Sequence, residues 1–222
     1  MRAEVVAMTG ECLNHEALKR AGEILKNGGL VAFPTETVYG LGGDALNPQA
    51  SKKIYAAKGR PSDNPLIVHI ADLEDLSEIT ENVPPETELL AKHFWPGPLT
   101  MIFEKSSLVP YGTTGGLDTV AVRMPSDLIA RKLILAAGGY VSAPSANTSG
   151  RPSPTTAEHV WEDLNGKIEM IIDGGSVDIG LESTILDMTV SPPMILRPGA
   201  ITADMLEEVI GVVSVDETIL GS

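Results

Sequence analysis

Short runs of continuously apolar residues recur along the whole chain, and glycine and proline cluster between them. Each run is the length of a strand, and most lack the polar–apolar alternation of a strand that is half exposed. Continuous apolar character is typical of strands covered on both faces. The runs occupy residues 5–8, 30–33, 66–70, 99–103, 120–122, 140–143, 168–172, 183–186 and 194–196.

Segments with helical periodicity lie between these runs. In residues 16–26, Leu18, Ala21 and Leu25 fall on one helix face, and Gly28 offers a C-terminal stop. Further helices are predicted at residues 48–57, 73–79, 86–93, 127–137, 155–164 and 203–209. Strands mixed with helices indicate the α/β fold class.

Length, charge and cysteine content exclude several classes of protein. A chain of 222 residues that is 43% hydrophobic can bury a sizeable core. Its net charge of −14 argues against coating nucleic acid or membrane with the whole surface, although a local basic pocket stays compatible. The single cysteine, Cys12, indicates a reducing compartment. With no signal-peptide pattern and no run of about 20 apolar residues, we expect a cytoplasmic protein without membrane contact.

The common nucleotide and hydrolase motifs are missing. GxxxxGK[ST], HExxH and GxSxG do not occur. Residues 40–45 fit the dinucleotide pattern GxGxxA. A loop separates them from the preceding strand, however, and no strong helix is predicted to begin at Gly43, so we do not expect a Rossmann site.

Four of the seven arginines lie close to a proline. Arg60, Arg151 and Arg197 directly precede one, and Arg123 is separated from Pro125 by Met124. Proline fixes its own backbone and makes the preceding residue extended, so each guanidinium should leave a stiff loop in a limited range of directions. Guanidinium groups suit phosphate and carboxylate. The repeated pattern predicts an anion pocket at strand ends, and the alternative is four surface arginines in turns.

Other polar residues accompany these arginines. The loops at 34–37, 58–65 and 143–150 carry hydroxyl and amide groups suited to a small polar ligand, although ordinary turn chemistry explains each loop alone. His69 lies near the end of an apolar run, where a satisfied core histidine is the alternative. Glu182 and Asp187 could approach a magnesium ion, with solvated turn positions as the alternative.

The loop sequences together resemble the YrdC/Sua5 family. The similarity runs from about residue 17 to residue 202, with the motifs in the family's order. The family's Lys-x-Arg plus Ser-x-Asn signature is present as Lys58/Arg60 and Ser145/Asn147. The matching segments are FPTETVYGL (33–41), KGRP (58–61), NPL (64–66), WPGPLT (95–100), VRMP (122–125), SANTSG (145–150) and LRPG (196–199).

The resemblance implies a single YrdC-like domain, with a twisted mixed sheet, flanking helices and a concave substrate pocket. Residues 1–211 would form the catalytic domain, and residues 212–222 a tail or the start of an interdomain linker. The implied enzyme is a nucleotidyltransferase that converts L-threonine, bicarbonate and ATP to L-threonylcarbamoyl-AMP and pyrophosphate. ATP would enter with Mg²⁺, whose protein ligands are unknown. The product would supply the tRNA threonylcarbamoyl transferase machinery that modifies position 37 of tRNA, and a weak tRNA contact is compatible.

The resemblance also implies residue roles. The catalytic residues would be Lys58, which would contact phosphate, and Arg60. The threonine-side contacts would be Thr35, His69, Arg123, Ala143 and Ser183. The ATP-side contacts would be Arg60, Asn64, Thr119, Ser145, Asn147, Ser153 and Arg197. Both reactants are anions, so positioning and fixed cations should supply most of the rate.

Two alternatives stay open. One is a carbamoyl-adenylate-forming paralogue, similar to a domain of hydrogenase maturation proteins, against which the single cysteine argues. The other is an RNA-binding module of the same fold, which the net charge of −14 disfavours.

Overall fold

A computed structural model describes residues 1–220, and a twisted, mixed twelve-stranded sheet runs through it. The strand order is β1-β9-β2-β3-β8-β4-β7-β6-β10-β11-β12, with β5 paired to β6. The strands are β1 Glu4–Ala7, β2 Val31–Pro34, β3 Tyr39–Asp44, β4 Ile67–His69, β5 Thr80–Glu81, β6 Leu99–Lys105, β7 Thr119–Arg123, β8 Val141–Ser142, β9 Met170–Asp173, β10 Thr184–Asp187, β11 Met194–Arg197 and β12 Ser214–Val215.

Helices flank this sheet, as the sequence predicts. None of those within residues 1–220 is long and apolar enough to cross a membrane. The helices are α1 His15–Lys26, α2 Pro48–Lys58, α3 Leu76–Ile79 preceded by a 3-10 turn at Leu73–Asp75, α4 Glu86–Phe94, α5 Tyr111–Thr114, α6 Leu128–Ala136, α7 Ala157–Leu164, α8 Ala203–Ile210 and α9 Glu217–Leu220.

All nine predicted strands and all seven predicted helices are confirmed, with small shifts of their ends. The prediction missed β3, β5, α5 and α9, and it left open whether the segment that contains β12 is a strand or a linker. Strand β3 is rich in glycine, a poor strand former, but the fold requires it there. A Cβ on Gly42 would lie 2.8 Å from the Phe33 ring. The GxGxxA residues therefore lie in a strand, and the expected absence of a helix at Gly43 is confirmed.

Helices cover both faces of the β9-β2 part of the sheet, so the continuous apolar runs of these two strands are explained. On one face, α1 and α6 pack against Phe33 and Ile172. On the other face, α2 and α7 pack against Ala32 and Ile171. Neighbouring residues of one strand point to opposite faces, and here both positions are buried.

The sheet is covered differently around β4, β7, β6 and β10. Helices α3, α4 and α8 cover one face, where Val68, Val122, Met101 and Leu186 are buried. On the opposite face of the same strands, Ile67, Ala121, Ile102 and Ile185 are only half-buried. The candidate site lies on this second face.

The C-terminal segment continues the sheet. Strand β12 pairs in parallel with β11, where Ser214 lies opposite Met194. The boundary predicted at residue 211 stays a prediction, and residues 221–222 of the predicted tail lie outside the described chain.

Candidate active site

The half-buried sheet face forms the apolar floor of a cavity of about 190 Å³. Ile67 on β4 pairs with Ala121 on β7, and Ala121 pairs with Ile102 on β6. Ile185 on β10 also lines the cavity, but it lies opposite Thr100, two residues before Ile102 on β6. The floor therefore takes one apolar side chain from each of four neighbouring strands.

Polar side chains stand at one end of this floor. His69 and Arg123 are the last residues of the parallel strands β4 and β7 and lie side by side in register. Thr100 lies opposite Arg123 on β6, and Ser183 directly precedes β10. The hydroxyl groups of Thr100 and Ser183 are 2.7 Å apart. The predicted gathering of polar groups at strand ends is present here.

Three guanidinium groups line the cavity: Arg60, Arg123 and Arg197. Each donates to a backbone carbonyl, at 2.8, 3.2 and 2.9 Å from the oxygens of Pro65, Gly97 and Ser183, respectively. A guanidinium has five N–H groups, and no more than three of the five are used in the bonds that the structure contains. Each arginine therefore keeps at least two N–H donors for a ligand.

The cavity has an excess of positive charge. Among the described residues that line it, Glu182 is the single carboxylate, 3.4 Å from Arg197 Nη1. Burial lowers the pKa of all three arginines, and the charge of Arg197 lowers the pKa of Arg60 and Arg123 further, that of Arg123 to about 9. A bound anion would stabilise the charged form of these arginines against both burial and their mutual repulsion. The site therefore favours a negatively charged ligand.

Arg123 is held by the loop between β2 and β3. Its Nη1 lies 3.0 Å from Thr37 Oγ1, and its Nη2 donates to the Glu36 carboxylate. Thr35 does not line the cavity, but its hydroxyl lies 3.0 Å from that of Thr37 and donates to the Val38 carbonyl. Thr35 therefore shapes the loop that holds Arg123.

His69 is buried and neutral. Its Nδ1 lies 3.1 Å from the Ile67 carbonyl, which can only accept, so Nδ1 carries the proton and Nε2 is the acceptor. Burial lowers the pKa of His69 to about 4. At neutral pH this ring can accept a hydrogen bond from a ligand, and it contributes no positive charge.

Lys58 lies behind the wall of the cavity. Its ammonium group donates to the carbonyl of Ser145, which lines the cavity, and to the carbonyl of Asn147 at 2.8 Å. Asn147 in turn donates from Nδ2 to the carbonyls of Thr148 and Arg151. Lys58 thus connects two of the other signature residues, Ser145 and Asn147, but Arg60 and Ser145 alone among the four line the cavity.

Most of the predicted site residues line the cavity, and the others lie outside it. Those that line the cavity are Arg60, Asn64, His69, Arg123, Ala143, Ser145, Ser183 and Arg197. Thr119 begins β7, on the same face as Ala121. Ser153 lines a neighbouring depression together with Arg151 and Asp163. Ligand roles for all of these residues stay predictions.

One interpretation of the sequence needs correction, and Asp187 follows the turn alternative. The inclusion of Arg151 in one anion pocket is wrong, because its guanidinium is 60% exposed and pairs with Asp163 at 3.3 Å, outside the cavity. Asp187 accepts hydrogen bonds from Thr189 in a turn, which is the solvated alternative. Within residues 1–220, no three His, Cys, Asp or Glu side chains are grouped to hold a metal ion.

Sequence reasoning missed several residues at the site. Thr37 and the floor residues Ile102, Ala121 and Ile185 were not singled out. The alternating polar residues of PTET (34–37) were a usable signal for the first. The floor residues carry no such signal, because apolar strand residues look alike whether a helix or a ligand covers them.

Comparison with known proteins identifies the family. The Sua5/YciO/YrdC model, whose description reads "telomere recombination", matches residues 23–199. The chain belongs to this family. A threonylcarbamoyl-AMP synthase of Pyrococcus abyssi is 52% identical over 98% of this chain and 64% of its own length. One of Bacillus subtilis is also 52% identical, over 92% of this chain and 59% of its own length.

Solved structures agree with this membership. P. abyssi Sua5 complexed with L-threonine superposes with a TM-score of 0.94 at 51% identity, over all of this chain and 64% of that one. Escherichia coli YciO has the same fold, with a TM-score of 0.79 at 24% identity, over 89% of this chain and 96% of that one. The chain spans about three fifths of the length of the first two curated relatives. The fold expected from the family resemblance is confirmed.

Proposed function

We propose that this chain is a threonylcarbamoyl-AMP synthase, a nucleotidyltransferase that uses L-threonine, bicarbonate and ATP. The observation that carries the proposal is the convergence of three buried guanidinium groups beside an apolar floor. Such a cavity suits two anionic reactants, one of which carries a flat apolar base. The names and the L-threonine complex of the similar proteins support the same activity.

The threonine side of the reaction belongs at the polar end of the floor. Arg123 offers two free N–H groups to the threonine carboxylate, and neutral His69 offers an acceptor. Ser183 and the Ala143 backbone border the same space. Thr35 acts through Thr37, whose hydroxyl it contacts.

The ATP side belongs with Arg60 and Arg197, whose free N–H groups would hold the triphosphate. Asn64 and Ser145 border the same space. Lys58 would act by fixing the loop that carries Ser145 and Asn147. Thr119 and Ser153 would contact the ends of the nucleotide that project beyond the cavity.

The reaction would proceed in two bond-forming steps. The threonine amine attacks the bicarbonate carbon and water is lost, which gives a carbamate. A carbamate oxygen then attacks the α-phosphorus, the bond to the bridging β-oxygen breaks, and pyrophosphate leaves. Two anions meet in this step, so the fixed guanidinium charges lower the barrier by holding them in place.

Magnesium would enter as part of Mg-ATP. Glu182 lines the cavity, and a carboxylate oxygen is the ligand type that Mg²⁺ prefers, so Glu182 would be the residue of this chain to contact the ion. The chain would act in the cytoplasm and pass its product to the tRNA threonylcarbamoyl transferase machinery. Any direct contact with tRNA would be weak, given a net charge of −14.

Pyrophosphate release tests the proposal. The chain is incubated with Mg-ATP and bicarbonate, each amino acid is supplied in turn, and the adenylated product is identified by mass. We expect release that requires both L-threonine and bicarbonate. Activity with carbamoyl phosphate in place of bicarbonate would favour the paralogue, and salt-steep RNA binding without ATP would favour the RNA module.

A further inference from the structure

Glu36 connects the β2–β3 loop to Arg123 and to the segment that follows β7. It lies between β2 and β3, its side chain is 15% exposed, and it was not among the predicted site residues. One carboxylate oxygen accepts from Arg123 Nη2. The other accepts from the Ser126 hydroxyl and, at 2.6 Å, from the Ser126 backbone N–H. A single carboxylate thus ties β7's last residue to the segment that leads into α6.

These contacts fix the plane of the Arg123 guanidinium. Nε donates to Gly97, Nη1 to Thr37 and Nη2 to Glu36. Three of the five N–H groups of the guanidinium therefore have an acceptor in the protein. One N–H on each terminal nitrogen stays available. Two donors on one planar group match the two oxygens of a carboxylate, provided that the group cannot rotate.

We propose that Glu36 is a positioning residue that orients Arg123 toward the carboxylate of the amino-acid substrate. The inference rests on the proposed function and deepens it. The opposite role is an internal competitor that occupies Arg123 until substrate displaces it. The two roles predict opposite changes when the Glu36 charge is removed: weaker substrate binding for a positioning residue, and tighter binding for a competitor.

Calorimetric titration separates these roles. L-threonine and L-threonine amide, which lacks the carboxylate, are each titrated into the wild-type chain and into Glu36→Gln. Loss of a charge-assisted hydrogen bond predicts a drop of about 10- to 100-fold in L-threonine affinity. Affinity for the amide should change by less than about 2-fold, because the amide does not use the Arg123 charge. A general loss of structure would weaken both ligands equally.

Two further variants calibrate the result. Ser126→Ala removes one of the two donors that hold Glu36 and leaves the backbone N–H, so it should lower L-threonine affinity in the same direction by less. Glu4→Gln removes a carboxylate that pairs with Arg20 at 2.8 Å on the exposed surface, and it should change neither affinity. Thermal unfolding of each variant checks that it is folded.

The outcomes distinguish this inference from the proposed function. Unchanged or tighter L-threonine binding by Glu36→Gln overturns the positioning role and leaves the proposed function intact. An equal loss of affinity for L-threonine and for its amide also overturns the positioning role. If the wild-type chain binds neither compound, the proposed function fails and the positioning role fails with it.

Discussion

The ammonium nitrogen of Lys58 lies 2.8 Å from the backbone carbonyl oxygen of Asn147 and also donates to the carbonyl of Ser145. The Lys58 carbonyl in turn accepts from the Ser149 N–H at 2.8 Å. Lys58 is 2% exposed, and burial, together with the charge of Arg60, lowers its pKa to about 8. The Lys58 side chain therefore holds the loop that borders the cavity through these hydrogen bonds.

We expect Lys58→Met to destabilise the fold as well as the site. Two carbonyls would lose their buried donor, and each unsatisfied group costs about 1–3 kcal/mol. The free energy of unfolding, measured with urea, should fall by about 2–4 kcal/mol, and ATP binding should weaken because Ser145 is no longer held. Full stability with lost ATP binding would instead indicate a direct phosphate contact.

The control for Lys58 is Lys53→Met. Lys53 is exposed and donates to the Gly28 carbonyl at 3.0 Å in a contact that is only partly buried, whereas Lys58 is 2% exposed. Loss of this hydrogen bond should lower the free energy of unfolding by less than about 1 kcal/mol and leave ATP binding unchanged.

Removal of a guanidinium from the cavity should abolish turnover without unfolding the chain. Arg60→Ala or Arg197→Ala should reduce pyrophosphate release by at least about 100-fold, because removing one fixed donor to a developing charge costs about that much. Arg20→Ala is the control: Arg20 pairs with Glu4 at 2.8 Å on the exposed surface, outside the cavity, so this variant should retain activity. Equal activity of all three variants would refute the phosphate-holding role.

The sequence predicted where the cations converge, for a reason that the structure explains. Arg123 and Arg197 end strands, and strand ends on one side of a sheet meet at one edge. The error at Arg151 has a physical cause too. A following proline limits the direction in which a side chain leaves the backbone, but it does not determine what lies there, and Asp163 is what Arg151 meets.

The floor and the Glu36 contacts were beyond sequence reasoning. Ile102 and Ala121 sit in continuously apolar runs that indicate burial on both faces, yet both residues are only half-buried and line the cavity. Glu36 reads as an ordinary solvated loop carboxylate, because its partners Arg123 and Ser126 come from a distant part of the chain. Only tertiary structure brings them together.

The apolar floor gives a prediction about nucleotide binding. Ala121→Leu places three more carbon atoms in a cavity of about 190 Å³ and should raise the Kd for ATP by at least about 10-fold, by steric exclusion. Because Ala121 faces the cavity rather than the helix-covered core, the thermal midpoint should change little. Ala56→Leu on the exposed face of α2 is the control and should change neither quantity. Unchanged ATP affinity of Ala121→Leu would place the nucleotide elsewhere.

His69 should make stability depend on pH. The unfolded chain binds a proton on this histidine below pH 6.5, its ordinary pKa, whereas the folded chain binds it only near pH 4. Between these values the unfolded state holds more protons, so stability falls as pH drops from 6.5 to 4, by about 3 kcal/mol in total. The stability of His69→Gln should fall less steeply over this range, as measured by urea unfolding at several pH values.

His159→Gln, on the exposed face of α7, should keep the wild-type slope. Parallel curves for wild type and His69→Gln would mean that His69 is not buried in its neutral form.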